Sequence, residues 1–257
     1  MVEDGSVLVP LENLAKKPYR DLVAYPNPSD ESVESRIRQL KNLGVEGLEF
    51  EGPLRMGKLS VLGKGVVGLV FRGVADDRRV AVKIRRTDSR RRSMIHESAM
   101  MSAANKAGIG PECLGSSEDV LEMQFLEGQR LPLWISSLKG RGRKARVKST
   151  VKALLEQCVT LDAYGLDHGE LSRAHKNVLV TEGDDPWILD YESASLMRRV
   201  NNFTSLAQYI LLSGRFSGTI LRILGPIDRE ELVKYLRLYK AGRTNDAFES
   251  TLKMLRL

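Results

Sequence analysis

Cysteine and histidine are scarce. Cys113 and Cys158 are the two cysteines in 257 residues, they share no motif spacing, and three histidines accompany them. A zinc cluster of the Cys/His kind has too few ligands to draw on. No apolar stretch approaches the ~18 residues of a membrane-spanning helix. The opening MVEDGSVLVPLENL carries acids where a secretory leader needs a basic segment. Internal repeats and low-complexity blocks are also missing. These absences predict a soluble, cytoplasmic protein with reduced thiols and no membrane partner.

What is present is ordinary in proportion. Hydrophobic residues make up 42% and charged residues 28%, close to the globular average, so disordered and fibrous classes fit poorly. At about 150 residues per domain the length suggests one domain or two. Forty Lys and Arg against 33 Asp and Glu leave a net charge of +7. Such a charge suits an anionic partner and equally suits plain solubility.

Along the chain, Pro10, Pro18, Pro26 and Pro28 prevent a long helix in the first 30 residues. Asp30 or Ser32 can then cap a helix near 32–43, with Val33, Ile37 and Leu40 at helical spacing and a stop at Gly44. Strands are expected at Leu59–Leu62, Val66–Phe71 and Val80–Ile84, with a turn at Ala75-Asp76-Asp77. A helix follows over Met94–Ala107, then a strand over Val120–Phe125. From about Leu131 the chain reads as helical, including Val151–Tyr164 and Phe203–Leu212. The exception is a hairpin whose arms are Asn177–Thr181 and Trp187–Asp190. The expected organisation is α+β: an N-terminal extension over 1–50, a β-rich lobe over 51–126 and a compact helical lobe over 127–257.

Gly63, Gly65, Gly68 and Val70 form a G-x-G-x-x-G-x-V. A dinucleotide fold needs a helix directly after the glycines, and Leu69-Val70-Phe71 reads as strand instead. Glycines between two strands suit either a bare hairpin or one whose backbone approaches a phosphate. Val80-Ala81-Val82-Lys83 follows, and strand alternation puts Ala81 and Lys83 on one face. In the next helix Met94, Glu97, Met101 and Ala104 share a face. A carboxylate within that apolar stripe needs a cation unless it lies at the stripe's edge in water, and Lys83 is the natural candidate.

At this point the chain resembles a protein kinase: Gly63–Val70 is similar to the glycine-rich loop, Val80–Lys83 to the V-A-I-K strand, and Glu97 to its glutamate partner. Leu121–Gly128 is similar to the hinge, which implies adenine contacts to the backbone near Gln124 and Leu126. Further on, His168, Leu171 and Asn177 match parts of H-x-D-L-x-x-x-N. An antiparallel hairpin brings its open ends together, so Asn177 and Asp190 become neighbours, a hard-ligand pair suited to Mg²⁺. The resemblance implies a two-lobed fold, ATP and Mg²⁺ as ligands, Lys83, Asn177 and Asp190 as catalytic residues, and a catalytic carboxylate near His168.

Three departures shape the reading. Glu170 stands at the base position where the family has aspartate, and Ser172–Lys176 is two residues longer than the pattern, with Asp167 as a second candidate base. Asp190 is followed by Tyr191-Glu192 rather than Phe-Gly. No A-P-E and no long activation segment follow. Together these features resemble the compact RIO branch of atypical serine/threonine kinases, over about residues 55–195. The same features are open to a nucleotide-binding pseudokinase, or to an ATPase switch that serves as a scaffold. Two basic runs remain, Arg78–Arg92 and Lys139–Lys148, either solvated surface or a place for RNA or a ribosomal particle. Few aromatics accompany them, which disfavours stacking of single strands.

Overall fold

The computed structural model describes residues 7–257, so the first six residues of the expected N-terminal extension lie outside the described residues. The chain is mixed α and β, with a β-rich N-terminal part and a helical C-terminal part. It divides into two compact units: residues up to 102 with 111–126, and residues 103–110 with 127–257.

The first unit contains β1 (Leu8–Pro10), α1 (Arg20–Val23), α2 (Asp30–Asn42), β2 (Val45–Glu49), β3 (Leu54–Met56), β4 (Leu59–Val61), β5 (Gly63–Lys64), β6 (Gly68–Ala75) and β7 (Arg78–Arg85). After these come most of α3 (Ile95–Lys106), then β8 (Cys113–Ser116) and β9 (Val120–Gln124). The main sheet runs β1-β2-β6-β7-β9-β8, antiparallel throughout, with β5 on β6, while β3 and β4 pair separately. Strand β6 extends from Gly68 to Ala75, further than the expected Val66–Phe71, because its ladder with β7 continues to the hairpin turn. Asp76 and Asp77 both hold positive φ there, 49° and 58°, as a tight two-residue hairpin turn requires.

The expected separation of residues 1–50 gives way to a different division. Strands β1 and β2 lengthen the main sheet, and Val9, Leu14, Val23, Leu40 and Leu48 are buried in the same core as Leu69, Phe71 and Val82. Ladder pairing joins segments far apart in sequence, and a five-residue strand such as Val45–Glu49 has too little alternation to announce its partner. Helix α2 begins at Asp30, and its cap is Ser29, not Asp30 or Ser32. Ser29 Oγ accepts from the Ser32 N–H at 3.1 Å, and Ser32 Oγ accepts from the Ser29 N–H at 3.0 Å.

The second unit contains β10 (Gly128–Arg130), α4 (Leu131–Ser137), α5 (Arg143–Tyr164), α6 (Ala174–Asn177), β11 (Val178–Thr181), β12 (Pro186–Ile188), α7 (Asn202–Gln208), α8 (Ser217–Leu224), α9 (Arg229–Gly242) and α10 (Asn245–Leu255). The strands form a small antiparallel sheet in the order β10-β11-β12. Helix α5 starts eight residues before the expected Val151, inside the second basic run. Cations disfavour a helix N-terminus, so the start is hidden from local rules. The structure compensates through Asp184 in the β11–β12 turn: Arg146 Nε and Nη2 donate to its carboxylate at 2.6 Å each, and Trp134 Nε1 at 2.9 Å. Among the described residues no helix is long and apolar enough to cross a membrane.

Candidate functional site

In the first unit β5 and β6 pair Gly63 with Val70 and Lys64 with Leu69, and the Gly65 N–H donates to the Gly68 carbonyl at 2.8 Å. The three glycines have different reasons to be there. A Cβ on Gly68 would stand 2.8 Å from the Ile84 carbonyl oxygen, so the packing of β6 on β7 demands glycine. A Cβ on Gly63 would meet nothing within 4 Å, and one on Gly65 only ordinary contacts. The fold therefore accounts for Gly68, while the space beside Gly63 and Gly65 would admit a side chain. The tip residue Val66 is 80% exposed.

Tyr25, Arg86 and Asp88, which the sequence reading does not assign to this turn, brace it. Lys64 Nζ donates to the Tyr25 hydroxyl at 2.7 Å and lies 4.6 Å from that ring's centroid. Arg86 Nη1 donates to the Gly65 carbonyl at 3.2 Å, and its N–H to the Val67 carbonyl at 2.8 Å. Its guanidinium is held by the Asp88 carboxylate at 2.7 Å. Arg86 and Tyr25 carry no periodicity that would mark them, since their partners are distant in sequence.

Val70 and Lys83 are directly opposite in the β6–β7 ladder, as are Arg72 and Ala81, so the four share one face. Lys83 and Glu97, each 4% exposed, form a two-pronged pair, Nζ to Oε1 at 2.8 Å and to Oε2 at 2.9 Å. The apolar stripe of α3 thus carries its carboxylate to a lysine rather than to water. Removing either partner of such a buried pair costs ~3–5 kcal/mol, because the other charge stays behind. The Gln124 N–H is committed to the Glu112 carbonyl at 2.9 Å, and Leu126 lies past the end of β9, outside the ladder. Of the two expected adenine contacts, the Gln124 donor is therefore already used within the sheet.

In the second unit α5 ends at Gly165, whose φ of 86° closes the helix, and the chain enters Asp167–Glu170. His168 is fully buried there. Its Nδ1 accepts from the Glu170 N–H at 3.3 Å, which assigns the proton to Nε2, and Nε2 then donates to the Leu189 carbonyl at 3.0 Å. Burial lowers the His168 pKa, so the ring is held neutral. The His168 N–H donates to Asn202 Oδ1 at 2.8 Å, and Asn202 Nδ2 donates to Asp162 Oδ1 at 2.8 Å and to the Leu166 carbonyl at 2.7 Å. Asp162 also accepts from the Asn202 and Phe203 N–H groups and from the Tyr239 hydroxyl. Burial raises its pKa against these hydrogen bonds, which lower it. This network, anchored at the start of α7, ties the 166–170 segment to the helical core.

Asn177 is the last residue of α6 rather than the first of a strand, and it is buried. Its carbonyl accepts from the Leu189 N–H at 2.8 Å, which brings Asn177 beside the residue before Asp190. The Asn177 Nδ2 is buried without a hydrogen-bond partner among the described residues. Asp190 lies two residues beyond β12 and holds φ at 70°, a conformation non-glycine residues seldom adopt outside sites that need it. Arg130 is close enough for the Asp190 carboxylate to raise its pKa against the larger lowering by burial, a neighbour the sequence did not mark.

Glu170 is half-buried, and its Oε1 accepts from Ser193 Oγ at 2.8 Å. Asp167, the second candidate base, is taken by Arg198 Nε at 2.7 Å and by the Asn201 N–H at 3.1 Å, with its backbone bridged to Ser195. Those bonds make it an anchor of the loop and leave Glu170 as the carboxylate with a hydroxyl at hand. In the basic runs, Arg85 pairs with Asp119 at 2.5 Å, Arg86 with Asp88 and Arg146 with Asp184, while Arg90, Arg92, Lys139, Arg141, Arg143 and Lys144 are exposed. Compared with protein-family models and with curated protein sequences, the chain matches none.

Proposed function

We propose that this chain is an ATP-dependent phosphotransferase, a serine/threonine protein kinase of the compact RIO-like kind with a two-lobed kinase fold, using Mg-ATP. The observation that carries the reading is the buried Lys83–Glu97 pair beside a glycine turn whose Gly63 and Gly65 the packing does not require. A lysine ion-paired in a dry setting is a ready ligand for phosphate oxygens. Glycine backbone without Cβ atoms lets phosphate approach the turn's N–H groups. Val70 and Ala81 share Lys83's face and offer an apolar floor of small side chains.

The reading assigns the remaining groups to residues of the second unit. Asn177 and Asp190 would hold Mg²⁺, which supplies neutralisation of phosphate charge and suits an amide oxygen with a carboxylate. A half-turn of the Asn177 amide, whose Nδ2 has no hydrogen-bond partner among the described residues, would put its oxygen there. Glu170 accepts the proton of the acceptor hydroxyl, and neutral His168 sets the backbone of Glu170 and of Leu189 at once. The rest of catalysis is positioning and charge stabilisation.

The test is transfer of the γ-phosphoryl group from radiolabelled ATP in the presence of Mg²⁺. Asp190→Ala is expected to abolish it, and Glu170→Gln to lower it by a factor on the order of 10²–10⁴. Unchanged labelling in Asp190→Ala overturns the reading. A second reading, an ATP-binding scaffold on RNA or ribosomal particles, draws on the exposed cations Lys139, Arg141, Arg143 and Lys144. It is distinguished in the same assay by ATP binding without turnover, together with RNA retention that falls steeply with salt.

A further inference from the structure

The loop after Asp190 carries a hydroxyl that the proposed reaction leaves unused. Ser193 Oγ donates to Glu170 Oε1 at 2.8 Å, and the two segments that bear these groups are locked together. Asp167 and Ser195 exchange backbone bonds of 3.0 and 2.8 Å. Arg198 Nη2 donates to the Ser193 carbonyl at 2.7 Å while its Nε binds the Asp167 carboxylate. Gly169 lies in the approach, with φ at 85°, and a Cβ there would stand 2.5 Å from Arg198 Nη2 and 2.8 Å from the Ser193 carbonyl oxygen. The Ser193–Glu170 contact is thus held from both sides by backbone, within one unit of the chain.

A general base takes its proton from a hydroxyl within about 2.6–3.2 Å. Ser193 meets that requirement with its own Oγ. We propose that Ser193 is a phosphorylation site of this chain's own reaction, the Ser193 hydroxyl serving as an acceptor of the γ-phosphoryl group of ATP. The Oγ–H bond breaks and its proton passes to Glu170 Oε1. A bond forms from Oγ to the γ-phosphorus, and the bond from that phosphorus to the bridging oxygen breaks, ADP leaving with the electron pair. Glu170 then returns its proton to water. Arg198, on the same loop, is the cation that would meet the new phosphate.

This inference rests on the phosphotransferase reading, and the experiment separates the two. The full chain is incubated with ATP and Mg²⁺, and the modified residue is located by mass spectrometry, beside the intact mass of the protein as purified. Phosphate on Ser193 is expected, lost in Glu170→Gln and in Ser193→Ala, and recovered as phosphothreonine in Ser193→Thr, which guards against a folding defect in the alanine variant. ATP consumption or phosphate at other residues, with Ser193 unmodified, overturns this assignment and leaves the phosphotransferase reading standing. No phosphate transfer and no ATP consumption overturns both.

Discussion

Tyr191 is a buried phenol whose hydroxyl has no hydrogen-bond partner among the described residues. Its ring packs on His168 with centroids 5.2 Å apart, and its pKa is driven well above the ordinary phenol value by burial. A desolvated hydroxyl without a partner costs about 1–3 kcal/mol, whereas the ring itself contributes packing. Tyr191→Phe keeps the ring and removes the penalty, so stability is expected to stay level or rise by up to about 1 kcal/mol, read from urea unfolding. A loss larger than that amount would mean that the hydroxyl has a partner after all. At this same scale the lysine, the glutamate and the glycines were legible in the sequence, because strand and helix periods assign faces directly. Ser193, Arg86 and Tyr25 were not, because each acts through a contact whose partner lies 21 to 39 residues away.

The glycine turn shows how an element depends on others. Its backbone is tied to β6 by short-range pairing, but its position is set by Arg86 from the end of β7 and by Tyr25 from the segment between α1 and α2. The Thr87 N–H donates to the Tyr25 carbonyl at 2.8 Å, so the tyrosine is itself anchored next to Arg86. Tyr25→Ala removes the hydroxyl contact, the aromatic face under Lys64 and a half-buried ring packed against the core of the sheet. On the proposed function the expected result is an ATP KM raised several-fold with kcat little changed, since the loss falls on ground-state positioning of the turn proposed to meet phosphate. An unchanged KM would show that the turn keeps its shape without Tyr25. Helix α5 teaches a related lesson: Lys139–Lys148 reads as either solvated surface or an RNA site, and Asp184 turns Arg146 within it into a structural contact at the helix start.

For the whole molecule, pH acts through two histidines. His168 and His175 both have pKa values lowered from 6.5, chiefly by burial, and for His175 also by the nearby Lys176, Arg215 and Arg173. At these two positions the unfolded chain therefore binds more protons than the folded one once pH falls below the ordinary histidine value. Stability rises with pH across that window and is lost as pH falls through it. Unfolding free energy is expected to drop between pH about 7.5 and about 5.5, and His168→Gln is expected to flatten that slope. A wild-type stability that is level over this range would contradict the buried, neutral state of His168.

The sequence by itself determined the local alphabet of this protein: which face of β7 carries Lys83, which face of α3 carries Glu97, and where a hairpin sets Asn177 near Asp190. Those follow from periods of two and 3.6 residues and from hairpin geometry, all short-range consequences of the backbone. Only the tertiary structure decided that residues 7–50 belong to the first sheet and its core, that Asn202 and Asp162 hold the His168 segment, and that Ser193 meets Glu170. Each of these joins segments 23 residues or more apart, or a strand to a partner that no local pattern names. Ladder pairing and buried polar networks are chosen by the chain as a whole, because burial of a polar group is costly unless its partners arrive with it.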